Sequence, residues 1–431
     1  MIFAQLVDDA LGCASYLVAD PGSGEAVVVD PAFAIEPYLA EAERRGVRIV
    51  RTIETHTHAD HLSGHGRLAL EHGIPVSIHP LADPSYPFDP LEDGTEIVLG
   101  DVVLRALHTP GHRPEHTCLL VSDRTRAAEP WLVLTGDSLF VGDVARPDLA
   151  VEAREGAEGL FSSLQRLMEL PDGVEVYPGH VAGSLCGKAM SSKASTTIGF
   201  ERRFNPALAF SEVAAFIAAT AALETPRPPN MERIVELNRG PFVGATPPPR
   251  RLDVPTEAAQ VLDVRPVEEF ARGHLPGAIS VPVAGSRFST KAAFVLDPER
   301  PVVIVASNEG EVEEAARGLR SVAYLDLPGY VLDGGSETLA LLPPTALGEL
   351  VPDGAVLVDV REPDEAAADP FPRSRAIPYR ALVAEELDLP RDRPIVTLCE
   401  SGPRAVIAAS LLAARGYDAR AVFPGGIDDL R

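Results

Sequence analysis

Four strand-like segments in the first half of the chain each run directly into a residue able to ligate a metal. "RTIET" leads to His56, "LRALHTPG" to His112, "WLVLTG" to Asp137 and "VEVYPG" to His180. Strand ends lining one rim of a sheet bring residues so distant in sequence to one pocket, and this pattern limits the fold more than any other. Between them lie helical segments such as "GLFSSLQRLMEL". "CASYLVADPGSGEAVVVDPA" reads as a strand, a Pro-Gly turn and a second strand, the pattern of a hairpin. A mixed sheet with helices is the expected class for this part.

The densest part of the pattern is "THTHADHLSG", residues 55 to 64, which places His56, His58, Asp60 and His61 within six positions. Neutral imidazoles and a carboxylate are suitable ligands for zinc or iron, and glycines at 111, 136 and 179 let the backbone pass close to an ion. Ten of the eleven histidines lie at or before His180, leaving only His274 beyond it, so the metal chemistry belongs to the first part. His65, His72, His79, His108 and His116 stand outside the motif and are expected to be surface or packing residues. Cys13 and Cys118 fall in strand patterns and are expected to be structural.

The second half repeats itself. "QVLDVRPVEEF" (260 to 270) is matched by "VLVDVREPDEA" (356 to 366), and "RPVVIVASNEGEVEEAARGL" (300 to 319) by "RPIVTLCESGPRAVIAASLL" (393 to 412). Each unit is a β-branched strand, a turn, a helical stretch and another strand, the alternation of a parallel sheet covered by helices. Proline-rich runs at 224 to 230 and 245 to 251 favour extended backbone and read as the linker. At 431 residues the chain has room for two to four domains of ordinary size.

Charge narrows the partners. A formal net charge of -25 and a pI near 4.8 repel phosphate backbones and anionic lipid, so neither nucleic acid nor a membrane surface is an expected partner. No run approaches the roughly 18 apolar residues of a membrane span, and "MIFAQLVDDALGCASYLVAD" has no basic leader; a cytoplasmic location is the expectation. Four cysteines without paired spacing argue against a disulfide framework and for reactive thiols.

"THTHADH", "TPGH", "TGD" and "YPGH", in that order, resemble the metallo-β-lactamase superfamily over about residues 1 to 240. The resemblance implies a four-layer αββα sandwich. In its glyoxalase II branch the matching positions His56, His58, His112, Asp60, His61, His180 and bridging Asp137 hold two metals. In its persulfide dioxygenase branch, His56, His112 and Asp137 hold a single ferrous ion as a facial triad, with His58, Asp60, His61 and His180 around it. Two metals with a bridging water attack a thioester, whereas two histidines and one carboxylate on one face of iron leave positions open for dioxygen and substrate. The motif alone fits both.

The repeats resemble rhodanese domains. "LDVRPVEEFARGHLPGAISVP" carries the match in a domain at 241 to 340. "CESGPR" resembles the family's active loop in a domain at 345 to 431, where Cys399 would be the sulfur-carrying nucleophile and Arg404 its cationic partner. The first copy places Ala306 opposite Cys399 and Glu311 opposite Arg404, and is expected to be catalytically silent. The second copy has "PRSRAIPY" where the first has "GHLPGA". The whole is therefore expected to be an α/β multidomain protein, an αββα sandwich followed by two rhodanese-like domains.

That architecture, with "LFVGDVARPDL" at 139 to 149, resembles persulfide dioxygenase and sulfurtransferase fusions. It implies one Fe(II) per chain, a low-molecular-weight thiol persulfide and O2 as substrates, sulfite as product, and exchange of sulfane sulfur among persulfide, sulfite and thiosulfate at Cys399. Two zinc ions in a thioester hydrolase, or a non-enzymatic sulfur relay, are the alternatives. Arg146 matches a position that holds substrate in glutathione-using members, but Val181 and Ala182 replace the aspartate and tyrosine those members carry. Glutathione, coenzyme A and other thiols therefore stay open as carriers. Cys186 is a further candidate for contact with the persulfide, and a homo-oligomer is among the expectations.

Overall fold

A computed structural model describes residues 1–148, 152–181, 193–220, 227–332, 334–347 and 354–430. Cys186 and Ala182 lie outside the described residues. The chain forms two compact units, one of Met1–Thr246 with Arg320–Ala323, the other of Pro247–Leu319 with Tyr324–Arg431.

The first unit holds two sheets. One runs in the order β1 (Ile2–Asp8), β2 (Cys13–Asp20), β3 (Glu25–Val29), β4 (Arg48–Ile53), β5 (Val76–Ile78), β6 (Asp89–Pro90). The expected hairpin is β2 and β3, antiparallel with Tyr16 opposite Val29. The other sheet contains β7 (Glu96–Leu99), β8 (Val102–His108), β9 (Thr117–Asp123), β10 (Leu132–Gly136), β13 (Glu175–Pro178) and β14 (Thr196–Thr197); a separate ribbon pairs β11 (Leu139–Phe140) with β12 (Asp143–Val144).

Alternation along the strands builds the layers. Strand side chains point to opposite faces in turn, so an element apolar at every position is buried on both sides. In β2, Tyr16 and Val18 join Val27, Val29, Leu104, Leu119, Val121 and Leu134 between the sheets. Its other face, Leu17 and Ala19, packs with Tyr38 and Ala42 of helix α1 (Glu36–Arg45) and Leu68 of α2 (His65–His72). On the second sheet's outer face, Cys118, Val133 and Val176 meet Leu160, Leu164 and Leu167 of α3 (Ala153–Leu167). Each such side chain contributes about 1.5–3 kcal/mol by leaving water. The result is helix, sheet, sheet, helix. β10 runs parallel to β13 and antiparallel to β9, which is antiparallel to β8, so β8, β10 and β13 end on the same rim.

The second unit carries two parallel sheets of identical topology. The first is β15 (Arg250–Arg251), β19 (Gly329–Val331), β18 (Val302–Val305), β16 (Gln260–Asp263), β17 (Ile279–Ser280) in spatial order. The second is β20 (Ala340–Leu342), β24 (Ala419–Val422), β23 (Ile395–Leu398), β21 (Val356–Asp359), β22 (Arg375–Ala376). "PRSRAIPY" thus supplies the edge strand that "GHLPGA" precedes in the first copy. The repeated Asp-x-Arg makes the same clamp twice. Arg265 grips both oxygens of Asp263 and the carbonyl of Gly273, and Arg361 grips Asp359 and the carbonyl of Asp369.

Candidate metal centre and sulfur-transfer loop

His56, three residues beyond β4, His112, four beyond β8, and Asp137, immediately after β10, come together with ligand atoms all within 4.8 Å of one another. All three are buried. Gly136 makes the approach possible: its φ is +46°, and a Cβ there would stand 2.7 Å from both His116 Nε2 and Thr55 Oγ1.

Hydrogen bonds behind each imidazole fix which nitrogen faces the centre. Thr55 Oγ1 donates its single proton to Asp30 Oδ2 at 2.8 Å, so at 3.0 Å it accepts from His56 Nδ1 and leaves Nε2 as the ligand atom. His112 Nδ1 donates to the Arg146 carbonyl at 3.1 Å, leaving Nε2 3.5 Å from Asp137 Oδ2. Burial, reinforced by the charge of His58, holds His56 well below the usual histidine pKa, and burial lowers His112 as well. Both are therefore neutral imidazoles, the form that binds metal. Burial alone would raise the Asp137 carboxyl, but the charge of His180 and its hydrogen bond outweigh it and keep it ionised. Asp137 Oδ1 takes a 2.7 Å contact from His180 Nδ1, while the buried Oδ2 has no hydrogen-bond partner. An orphaned carboxylate oxygen opposite a neutral imidazole is a ligand set that fits a divalent cation.

The other residues of the motif turn elsewhere. His58 Nε2 lies 3.1 Å from Glu54 Oε2 and 3.3 Å from Asp30 Oδ1. Burial and His61 disfavour its charge, yet Asp30 and Glu54 prevail and push His58 up to about 9; Glu54, despite its burial, is pulled down to about 2 by His58 and His65. Asp30 holds this network from a left-handed backbone, φ 49°, a conformation that costs a non-glycine residue about 1–3 kcal/mol. Asp60 faces His180 Nε2 at 2.7 Å and His61 Nδ1 at 3.1 Å.

Cys13, His116 and His65 depart from the expectation. Cys13 Sγ is 3.3 Å from His180 Nε2, 3.4 Å from Asp60 Oδ2 and 3.5 Å from His61 Nδ1, so it belongs to this cluster and not merely to the packing of β2. His116 is fully buried and accepts the Asp137 backbone N–H at Nε2, 3.0 Å, while Nδ1 donates to Thr109. Burial holds it down to about 3, the neutral state this acceptor role needs. His65 lies 3.4 Å from Glu54. Arg146 enters through its carbonyl; its guanidinium makes two hydrogen bonds to Asp148, at 2.6 and 2.7 Å.

In the second unit, Cys399 follows β23 at the position Ala306 occupies after β18, as the aligned repeats require. Cys399 is buried, and its Sγ accepts the Gly402 N–H at 3.2 Å, a turn closed by Gly402 at φ +102°. Helix Pro403–Ala414 begins there. Arg404 forks onto Glu365 at 2.5 and 2.9 Å, with Glu400 at 3.7 Å. In the first copy Glu311 folds back into its own loop, accepting from Ser307 N at 2.8 Å and Asn308 Nδ2 at 3.2 Å. That loop has neither a thiol nor a cation.

A model of the metallo-β-lactamase superfamily matches residues 8–180. Persulfide dioxygenase ETHE1, mitochondrial, of Homo sapiens is 30% identical over 228 residues, 52% of this chain and 82% of that protein. The chain belongs to the metallo-β-lactamase superfamily. To the superfamily domain it adds two rhodanese-like domains, matched at 251–340 and 344–431. An uncharacterized protein of Mycobacterium leprae (strain TN) is 33% identical over 224 residues, 46% of this chain and 94% of that protein. Among solved structures, a superfamily member from Staphylococcus aureus subsp. aureus COL, a metallo-β-lactamase by name, has a TM-score of 0.70 at 28% identity and covers 77% of this chain and 98% of its own. No helix among the described residues is long and apolar enough to cross a membrane.

Proposed function

We propose that the first unit is a persulfide dioxygenase using one Fe(II) held by His56, His112 and Asp137, and that Cys399 exchanges sulfane sulfur with its product. The observation that carries this reading is the split of the motif. Two neutral imidazoles and an orphaned carboxylate oxygen face one point. His58, whose ring nitrogens make no hydrogen bond, is drawn by charge to Asp30 and Glu54, and Asp60 pairs with His61, whose Nε2 is also without a hydrogen bond. The resemblance to a persulfide dioxygenase and the rhodanese-like pair point the same way, toward an enzyme of sulfur metabolism.

The overall reaction is RSSH + O2 + H2O giving RSH, sulfite and two protons. Ferrous iron held in such a triad would offer dioxygen and the persulfide sulfur adjacent positions and a path for electrons from sulfur to oxygen. The protein's part is to aim His56 and His112 through Thr55 and the Arg146 carbonyl, to keep both imidazoles neutral, and to set Asp137 through His116 and His180. Arg146 and Cys186 are the candidates for substrate contact. A thiol carrier with a carboxylate competes with Asp148 for the Arg146 guanidinium, which fits glutathione and leaves coenzyme A as the other carrier. A second persulfide loads Cys399: the thiolate attacks its outer sulfur, that S–S bond breaks and RS− leaves. Sulfite then attacks the outer sulfur of the Cys399 persulfide, the S–S bond breaks, Cys399 leaves as thiolate and thiosulfate forms.

A second reading, a two-zinc thioester hydrolase, draws on Cys13, Asp60 and His61, whose ligand atoms also lie within 4.8 Å of one another. An oxygen electrode separates the two. With glutathione persulfide or coenzyme A persulfide the dioxygenase consumes one O2 per sulfite formed, counted as free sulfite plus thiosulfate. Thioester hydrolysis without persulfide-dependent oxygen uptake would instead favour the hydrolase.

A further inference from the structure

The active loop of the second repeat lacks the charge its substrate needs. Thiosulfate and sulfite are dianions, and the chain as a whole carries a formal charge of -25. Arg404 is the cation expected to receive them, yet both of its terminal nitrogens are bound to Glu365, and Glu400 stands 3.7 Å away. The repeat's own contribution at the loop is therefore two carboxylates against one guanidinium. Nearby Arg380 is paired with Glu362 at 2.9 Å and Arg361 with Asp359 at 2.7 Å, so neither offsets that excess. A loop of this sign repels its anion.

The missing positive charge comes from the repeat that has no thiol. Its helix Phe288–Val295 packs on the second repeat's turn Tyr379–Val383, where the rings of Phe294 and Tyr379 meet edge-on at 6.3 Å. A second tie, Ser280 N to Ser410 Oγ at 3.0 Å, fixes the helix that follows Cys399 against strand β17 of the first repeat. This docking brings Arg287 and Lys291 to the active loop. Burial raises the Tyr379 hydroxyl, Glu362 adds to the rise, and Arg404, Arg380 and Arg287 oppose it, so the two repeats' guanidinium groups share one ring as neighbour. Burial depresses the Lys291 ammonium, Arg287 and Arg404 add to the depression, and the charge of Cys399 opposes it. Lys291 Nζ is held by the Ser286 carbonyl at 2.8 Å, which uses one of its three donors.

We propose that Lys291 and Arg287 of the first repeat complete an oxyanion subsite beside Cys399 of the second, which binds the sulfonate end of thiosulfate or free sulfite. With both included, cations outnumber carboxylates at the loop. The exchange itself needs no further reactant: the Cys399 thiolate attacks the outer sulfur of thiosulfate, the S–S bond breaks, and sulfite leaves with the electron pair, its oxygens held by the two cations as tightly before the step as during it. The inference explains why a copy without a nucleophile is present, and it rests on the reading of Cys399 as the sulfur carrier.

The test is calorimetric binding of sodium thiosulfate to the full-length Cys399→Ser protein, which cannot turn over. Adding Lys291→Ala should weaken Kd about tenfold, and Lys291→Arg should restore it to within about threefold. On the intact thiol, Lys291→Ala should raise KM for thiosulfate with cyanide as acceptor while kcat stays within about threefold. An unchanged Kd in Lys291→Ala, or no thiosulfate binding by Cys399→Ser, overturns the subsite. If the wild-type chain shows no sulfur transfer while the Lys291-dependent binding persists, the carrier role of Cys399 falls and the subsite stands.

Discussion

Replacing Asp137 with alanine should lower persulfide-dependent oxygen uptake by roughly 10³-fold or more, while thiosulfate sulfur transfer at Cys399 stays within about twofold. Asp137 is the one anionic donor of the set, and its Oδ2 is the buried oxygen without a partner. Without it two neutral imidazoles remain, too few to hold a hard ferrous ion in fixed geometry. His180 also loses its 2.7 Å partner at Nδ1, so the shell around the site loosens along with the ligand set. Cys399 lies in the other compact unit, so intact sulfur transfer shows the loss to be confined to the first unit, and an unchanged circular dichroism spectrum shows that unit still folded. Oxygen uptake retained within tenfold in Asp137→Ala would remove Asp137 from the ligand set.

The reciprocal substitution, Cys399→Ser, should abolish sulfur transfer, again by roughly 10³-fold or more, and leave oxygen uptake unchanged. Serine fits the same turn and accepts the same N–H from Gly402, but its hydroxyl is not ionised near neutral pH and forms no persulfide. The products should change accordingly. With a thiol persulfide as sole sulfur source, the wild-type chain should release thiosulfate together with sulfite, and Cys399→Ser only sulfite. Thiosulfate formation that survives in Cys399→Ser would place the sulfur carrier on another thiol.

The parts of the site that follow a local period were legible in the sequence. His56, His112, Asp137 and His180 each sit within a few residues of a strand end, which order and spacing suffice to recognise; that β4 brings His56 from the facing sheet, and not from the rim shared by β8, β10 and β13, was not legible. The aligned repeats likewise place Ala306 and Cys399 at the same point of two sheets with the same strand order. What escaped were residues whose role depends on cross-strand register. Cys13 opens a strand whose every residue is buried and reads as one more apolar position, yet its bridge to His180 puts the thiol among the polar groups. Asp30 and Glu54 close apolar strands like ordinary turn residues, and His116 lies between segments with no motif of its own. Cys13 acts across the sandwich, whereas Asp30 and Glu54 act at the end of the first sheet and His116 at the end of the second. Arg146 shows a different limit: its side chain was the expected contact, whereas its carbonyl is what orients His112.

Metal content tests the central claim most directly. Protein purified without oxygen and analysed for all first-row metals should contain about one iron per chain, lost in Asp137→Ala and retained in Cys399→Ser. Two zinc ions per chain, in protein that hydrolyses thioesters and takes up no oxygen with a persulfide, would contradict the account.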